Sequence, residues 1–583
     1  MPPFELLWVV ALTGGEIDRA ASHVEAAPVD GCALGLTVGG VESFRRRSLK
    51  IRGLFCFGKG LCYPSRLGRY EMRWIRPLLV ASALGLQALG AFGAAEAPSK
   101  TYSFTVLHFN DFHGQVEPAC ANPGQPCGGL ARLAGQVSAA EADAAARGEQ
   151  AFLFFAGDLF TGTAFSTLFQ GGPEFDALSR MGVTAMTTGN HEWDFGPGVL
   201  VARVRKASFP VVLDNVKAAD PSHVFWVPSL GLKAGDLRIG VLGVTTPDTP
   251  VTTAPGNTQG FSFSDPVAAV GAELAVHQKD WDFVIVVSHC GFEVDKALAD
   301  RYPSLGLIVG GHDHKVLEAP FVENGVPIVQ AGDRGRFLGE VRVTMEKGKK
   351  PVVTGRLLPI TSDVLESPAV ESLLAPYLAK EESALGGVIG RLPAALSGDR
   401  EILRTQEAPI GDLLADAMRS EAKADVAFVN GGTIRAGLPA GDVTGRDLYA
   451  CLPFFDSLCT VRLTGAQVQS LLDRCAAMPL QDAPGGFLQV SGLSVRYEGG
   501  KAHGVAVGGA LLDPARSYLV ACTHFLLSGG DGLDEFKAGT DVRDWGISLQ
   551  ELLRRKLESS GLALPKAGER IRRVDAPLAR NAA

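Results

Sequence analysis

Apolar runs and amphipathic stretches alternate along the chain from Thr101 to about Leu358. Short continuous apolar runs at Phe104 to Phe109, Ala151 to Phe155, Ala185 to Thr188, Phe283 to Val287 and Leu305 to Val309 read as buried strands. Leu130 to Ala146 and Pro266 to Gln278 instead carry apolar residues at helical spacing. The alternation predicts α/β layering. Ser367 to Leu385 sets Val370, Leu373, Leu374, Tyr377 and Leu378 at helical spacing, which predicts a linking helix. From Gly386 to Val574 the pattern changes: helices are expected at Ile410 to Glu421 and Gly465 to Ala476, strands near Leu488 to Tyr497, and glycine-rich turns at Asn430-Gly431-Gly432 and Gly529-Gly530-Asp531-Gly532. No repeat relates the two halves, so two different domains are expected.

Length agrees, because 583 residues exceed what one core usually supports. With 46% hydrophobic and 20% charged residues the chain is globular in composition. A net charge of -8 with no basic block after residue 100 argues against a nucleic-acid polymer as partner. A small anion remains compatible, since local cations outweigh the global sign.

Residues 1 to 71 show no sustained period and read as an upstream extension. Met72-Arg73-Trp74-Ile75-Arg76, the apolar stretch Pro77 to Gly93 and the small residues Ala94, Ala95 and Ala97 then form the three regions of a secretory signal peptide, residues 72–95. The competing reading is an N-terminal domain followed by a membrane helix, for which Gln87 and the glycines make a poor span. The expected product is periplasmic or secreted, with no stable membrane anchor. Export permits disulfides. Cys120 and Cys127, flanking a Pro/Gly/Asn loop, are the expected pair, and Cys290 reads as a packed core residue.

Five short blocks follow the apolar runs: Asp111-Phe112-His113, Gly157-Asp158, Gly189-Asn190-His191-Glu192, Ser288-His289 and Gly311-His312-Asp313-His314. Strands that end together in one sheet deliver such loops to one edge, so the blocks are expected to converge. Converged, they offer Asp, His and Asn without thiolate, a donor set for two divalent metals (Mn, Zn, Co, Mg or Ca). Two ions about 3.5–4 Å apart activate water and neutralise phosphoryl oxygens, which is the chemistry of phosphoester cleavage. Asp158 is the expected bridge. Asp111 and His113 would serve one ion and Asn190 and His289 the other, with His312 and His314 giving one imidazole to each. The i, i+2 spacing of each Asp-x-His and His-x-His pair predicts a shared side of an extended segment. His191 lies outside that set and is expected to act on the phosphoryl group or the leaving oxygen. Asp194 either fixes its tautomer or is a turn residue before Phe195-Gly196-Pro197-Gly198.

On these residues the chain resembles the exported 5′-nucleotidase and UDP-sugar hydrolase family, from Thr101 to Val574. The resemblance implies a four-layer αββα metallophosphoesterase domain at 100–358, a linker with a hinge helix at 359–385, and an α/β substrate domain at 386–575. It places metal ligands at the seven positions above and catalytic roles on His191 and Asp194. In the second half the family motifs fall on Asn430-Gly431-Gly432-Thr433-Ile434-Arg435, Leu452-Pro453-Phe454 and Phe525 to Gly532. By that resemblance Phe454 and Phe525 sandwich a base and Asp531 binds ribose hydroxyls. Arg400, Arg404 and Arg435, with Asn430 and the Gly432 turn, contact phosphate or other polar groups. Sequence alone would make the two phenylalanines core residues. Trp193 stands where the family usually has Phe, His314 where some members have Gln or Asn, and Leu533 where some have Phe.

The expected function is hydrolysis of nucleoside 5′-phosphates, extending to di- and triphosphates or UDP-sugars, by domain closure over a dimetal centre. A 2′,3′-cyclic phosphodiesterase with 3′-nucleotidase activity is the enzymatic alternative, and the second-half motifs count against it. An inactive nucleotide receptor is the alternative of another class, and it would be expected to lack a ligand.

Overall fold

The computed structural model of the chain describes residues 54–57, 61–64 and 100–574, except 121–123, 255, 278, 347–348 and 560–561. The proposed signal peptide lies outside the described residues, as does most of 1–71. Within that leading segment Leu54–Phe57 pairs antiparallel with Leu61–Pro64, a hairpin that its irregular pattern did not predict.

The first half of the main body holds two sheets. One orders Val352–Pro359, Phe337–Glu346, Thr101–Phe109, Gln150–Phe155 and Ala185–Met186. The other orders Phe321–Glu323, Val326–Val329, Leu307–Val309, Phe283–His289, Leu237–Thr245 and Ser229–Ala234. The block-bearing strands are therefore divided between two sheets, not collected in one. The reason is hydrophobic: Phe104, Val106, Phe152 and Phe154 of the first sheet and Ile239, Val241, Ile285 and Val287 of the second are apolar on facing sides and bury each other in one cluster. Leu130–Ala146 packs outside the first sheet, burying Leu130, Leu133 and Val137. Pro266–Val276 and Phe292–Arg301 cover the outside of the second through Val270 and Leu298. This is the expected αββα layering.

Helix ends follow local chemistry. Asp265 accepts a hydrogen bond from Ala268 N–H at the start of Pro266–Val276, with proline at the first position where no N–H is needed. Thr464 and Gln467 form a capping box on Gly465–Ala477. The linking helix spans Pro368–Leu385 and continues through Pro376, an interior position that ordinarily costs about 3 kcal/mol. Burial of Val370 and Leu374 against the first core offsets that cost.

In the second half a five-stranded sheet orders Leu488–Ser491, Val426–Asn430, Ser517–Thr523, Ser457–Thr464 and Thr540–Ser548. Pro409–Ala422 and Leu549–Glu558 cover one face and Gly465–Ala477 the other. The strands expected near 488 to 497 are Leu488–Ser491 and Leu493–Glu498, which belong to different sheets and are hinged at Gly492, whose φ is +82°. Cys120 and Cys127 form a disulfide, and Cys290, Cys451, Cys459, Cys475 and Cys522 are free and buried.

Candidate active site

The C-terminal ends of strands from both sheets face one another, and the five blocks meet there. Asp111, His113 and His314 form one group of potential ligand atoms, and Asp158, His289 and His312 a second. Asp158 also groups with His113 and His191, so its carboxylate belongs to both sides. Its Oδ2 lies 3.2 Å from His289 Nε2 and 3.9 Å from His113 Nε2. Nε2 of His113 and Nε2 of His314 are 3.0 Å apart, and Asp111 Oδ1 stands 3.4 Å from the latter. Asn190 is buried beside His191, and its Oδ1 makes no hydrogen bond.

The backbone reaches this arrangement by left-handed turns. Asp111 and His113 have φ of 50°, Asp158 and His314 of 61°, and His312 of 86°. The expectation of extended segments is thus corrected. His312 and His314 consequently diverge, one to each group. Such conformations cost roughly 1–3 kcal/mol each in side chains bearing Cβ, and they persist where surrounding contacts enforce them. Those contacts are present. Asn110 Nδ2 donates to Asp111 Oδ2 at 2.7 Å, and His312 N–H to the same oxygen at 2.9 Å. Glu192 accepts from the N–H groups of Asp158 (2.9 Å), Leu159 (2.5 Å) and Gly189 (2.6 Å), tying two loops together. Any Cβ at Gly189 would collide with Asp158 Oδ1 and approach His289 Nε2 to 2.6 Å.

Backbone carbonyls orient the rings: Thr161 O faces His113 Nδ1 at 2.9 Å and Ala156 O faces His289 Nδ1 at 2.6 Å. A proton held at Nδ1 leaves Nε2 as the electron-pair donor. Burial, reinforced by adjacent imidazoles, presses His113 far below its usual range and His312 down to about 3, so both rings are neutral donors. Burial also favours a neutral His289, but Asp158 and Asp111 outweigh it and lift that ring to about 10. The carboxylates therefore demand positive charge at this point. With converging nitrogens, carboxylate oxygens and the orphaned Asn190 Oδ1, the donor set fits hard-to-borderline divalent cations.

His191 Nδ1 and Asp194 Oδ2 are 2.6 Å apart, and Thr253 Oγ1 donates to Asp194 Oδ1 at 2.8 Å. Burial opposes protonation of His191, while Asp194 and Asp158 raise its pKa above the usual value. Asp194 is therefore placed against His191 and is not simply a turn residue.

Residues of the second half reach the same place. Arg400 Nη1 is 3.2 Å from His314 Nδ1, and Thr167 Oγ1 donates to Pro453 O at 3.0 Å. The Phe454 ring lies 6.1 Å from His191 and 5.9 Å from the Arg435 guanidinium. Burial, Arg435 and Arg400 all depress Arg404, and burial brings Arg435 down to about 10. Such crowded guanidiniums favour an anion among them. Asn430 Nδ2 donates to Asp531 Oδ2 at 2.8 Å, and Gly432 N–H reaches Gly485 O at 2.9 Å. Phe525 packs on Gly530, where a Cβ would strike its ring.

Several participants have roles that no local motif signals. Glu192 stood in a quoted block, but its clip joins loops distant in sequence. Arg334 has φ of 54°, donates its N–H to Asp111 O at 2.8 Å and lies beside Arg435, while Asp333 Oδ2 is 3.5 Å from His314 Nδ1. The Gly332-Asp333-Arg334-Gly335 turn was the available signal.

Comparison with known proteins agrees with this architecture. The calcineurin-like phosphoesterase family profile matches residues 104–316, and the 5′-nucleotidase C-terminal domain profile matches residues 388–538. A 5′-nucleotidase of Vibrio cholerae is 29% identical over 83% of this chain and 96% of its own length. A 5′-nucleotidase of Bos taurus is 29% identical over 78% of this chain and 88% of its own. The crystal structure of a 5′-nucleotidase precursor from Thermus thermophilus superposes with a TM-score of 0.74 at 30% identity, covering 82% of this chain and all of that one. Two sheets that bring acidic, amide and imidazole donors together, joined to a domain of guanidiniums and aromatic rings, are accounted for by one lineage: the chain belongs to the 5′-nucleotidase family, with a calcineurin-like phosphoesterase domain followed by a 5′-nucleotidase C-terminal domain.

Proposed function

We propose that the protein hydrolyses nucleoside 5′-phosphates to nucleoside and phosphate, using two divalent cations held by Asp111, His113, Asp158, Asn190, His289, His312 and His314. The observation that carries this reading is the membership of Asp158 in donor groups on both sides, beside guanidiniums from the second domain. Bound cations would supply an activated water and neutralise phosphoryl charge. The chain's own residues do the rest. Arg400, Arg404 and Arg435 bind and orient the phosphate, and the mutual repulsion of their charges is relieved when an anion enters. His191, oriented by Asp194, delivers a proton to the leaving ribose oxygen or donates to the phosphoryl group. Phe454 and Phe525 present ring faces to the base, and Asp531, braced by Asn430, accepts from ribose hydroxyls.

The units of this reading are a metallophosphoesterase domain at 100–358, a linker at 359–385 and a substrate domain at 386–575. Cross-domain contacts at His314, Phe454 and Thr167 support a closed arrangement, with Pro368–Leu385 as hinge region. Export to the periplasm or medium is supported by the leader pattern and the Cys120–Cys127 disulfide. No helix among the described residues is long and apolar enough to cross a membrane.

The test is phosphate release from AMP, ATP, UDP-glucose and 2′,3′-cyclic AMP, before and after chelation and readdition of Mn, Zn, Co, Mg or Ca. Turnover of AMP that survives exhaustive chelation would overturn the metal-dependent reading.

A further inference from the structure

The second domain contains another convergence of ligand atoms, remote in sequence from the active-site blocks. Cys459 lies on the strand Ser457–Thr464, Asp544 opposite it on Thr540–Ser548, and Cys522 opposite it on Ser517–Thr523. Directly paired residues of adjacent strands project from one face, so this row carries a carboxylate and two thiols side by side. Two residues after Cys522, His524 opens the short helix His524–Leu527 and turns its ring back over the row. Cys459, His524 and Asp544 each place a ligand atom within 4.8 Å of the others.

The distances separate three explanations. His524 Nδ1 is 3.9 Å from Cys459 Sγ and 3.5 Å from Asp544 Oδ2. A Cys-His-Asp relay needs the thiol and the carboxylate on opposite ring nitrogens, whereas here both converge on Nδ1. A direct imidazole–carboxylate hydrogen bond needs about 2.7–3.2 Å, and the observed gap is longer. Tetrahedral zinc with bonds of about 2.3 Å to sulfur and about 2.0–2.2 Å to nitrogen and oxygen gives edges of about 3.6 Å for S···N and about 3.4 Å for N···O. The observed spacings lie within a few tenths of an ångström of those edges.

The carboxylate is also held in place. Gly546 N–H donates to Asp544 Oδ1 at 2.8 Å and Ser457 Oγ to Oδ2 at 3.2 Å, the outer support expected of a ligand. Cys459 is fully buried, with its sulfur facing His524, while the His524 and Asp544 side chains are 50% and 48% exposed. The geometry points to a second type of metal site, in which Cys459 Sγ, His524 Nδ1 and Asp544 bind one thiophilic divalent cation of the zinc class. Water completes the coordination on the solvent side, and binding releases the Cys459 proton. The cation ties the strand Thr540–Ser548 to the helix carrying Phe525, so it acts as a structural clasp on that helix.

Cobalt distinguishes this site from the active centre, whose donor set contains no thiol. The full chain, kept anaerobic with its Cys120–Cys127 disulfide intact and titrated with Co2+, is expected to develop a thiolate-to-cobalt charge-transfer band in the near ultraviolet. Cys459→Ala should abolish the band while retaining phosphate release. The half-exposed variants Asp544→Asn and His524→Ala should weaken cobalt binding at this band about tenfold or more, and they serve if Cys459→Ala does not fold. Absence of the band in the wild type, or a band that survives in folded Cys459→Ala or is unchanged in both other variants, would overturn the proposal and leave the row as an ordinary thiol–imidazole contact.

Discussion

Arg400 places Nη1 3.2 Å from Nδ1 of His314, joining a guanidinium of the second domain to an imidazole of the first. With its proton on Nδ1, 3.5 Å from Asp333 Oδ2, and Nε2 left toward Asp111 and His113, the imidazole offers the guanidinium no acceptor. An incoming phosphate resolves that conflict by accepting from the guanidinium. Arg400→Ala is therefore expected to lose about 1.5–3 kcal/mol of charged hydrogen bonding, or roughly 10- to 150-fold in kcat/KM, in steady-state assays with AMP. An unchanged kcat/KM would remove Arg400 from the phosphate site.

Phe525 offers a discriminating substitution because its proposed partner is the base, which a small aryl phosphate lacks. Stacking is worth about 1–3 kcal/mol per base. Phe525→Ala should lower kcat/KM for AMP by that amount while sparing an aryl phosphate. Equal losses on both substrates would show that the ring is only packing against Gly530.

Glu192 receives three backbone N–H groups and would not touch substrate. Removing those acceptors with Glu192→Ala leaves buried donors unsatisfied, at about 1–3 kcal/mol each. We expect a lower melting temperature together with a lower kcat, because Asp158 loses its loop support. Glu192→Gln keeps an acceptor oxygen and should recover part of both; no difference between the two variants would refute the clip.

Glu174 supplies a pH signature away from the metal donors. Burial raises its pKa to about 7, with Arg203 opposing and Glu381 reinforcing the shift. A carboxyl raised in the folded state holds its proton more tightly folded than unfolded, so its penalty is absent below the unfolded pKa near about 4.3. The penalty grows as pH rises toward about 7 and is complete above it. Glu174→Gln should thus match wild type in melting temperature at pH about 4 and exceed it increasingly toward pH about 8. A pH-independent difference would contradict this.

Closure can be read at the contact of Thr167 Oγ1 with Pro453 O, 3.0 Å apart across the domains. Oxidation of the double variant Thr167→Cys, Pro453→Cys is expected to stop turnover, and reduction to restore it. Full activity in the cross-linked protein would show that the domains need not separate between cycles.

What the sequence determined by itself is the local part. Apolar runs of period-free strand type, helical spacing from Leu130 to Ala146 and from Ser367 to Leu385, and short polar blocks at strand ends are all encoded within a few residues of each other. The resemblance carried by Gly189 to Glu192, Gly311 to His314 and Asn430 to Arg435 then named the chemistry. Tertiary structure decided everything that depends on facing surfaces. Two sheets rather than one hold the blocks, because Phe104 and Phe154 must be buried against Val241 and Ile285. Left-handed turns, not extended segments, aim Asp111, His113 and His314 at one point, because long-range hydrogen bonds such as His312 N–H to Asp111 Oδ2 enforce them. The row of Asp544, Cys459 and Cys522 exists only through strand register, which no spacing along the chain reveals.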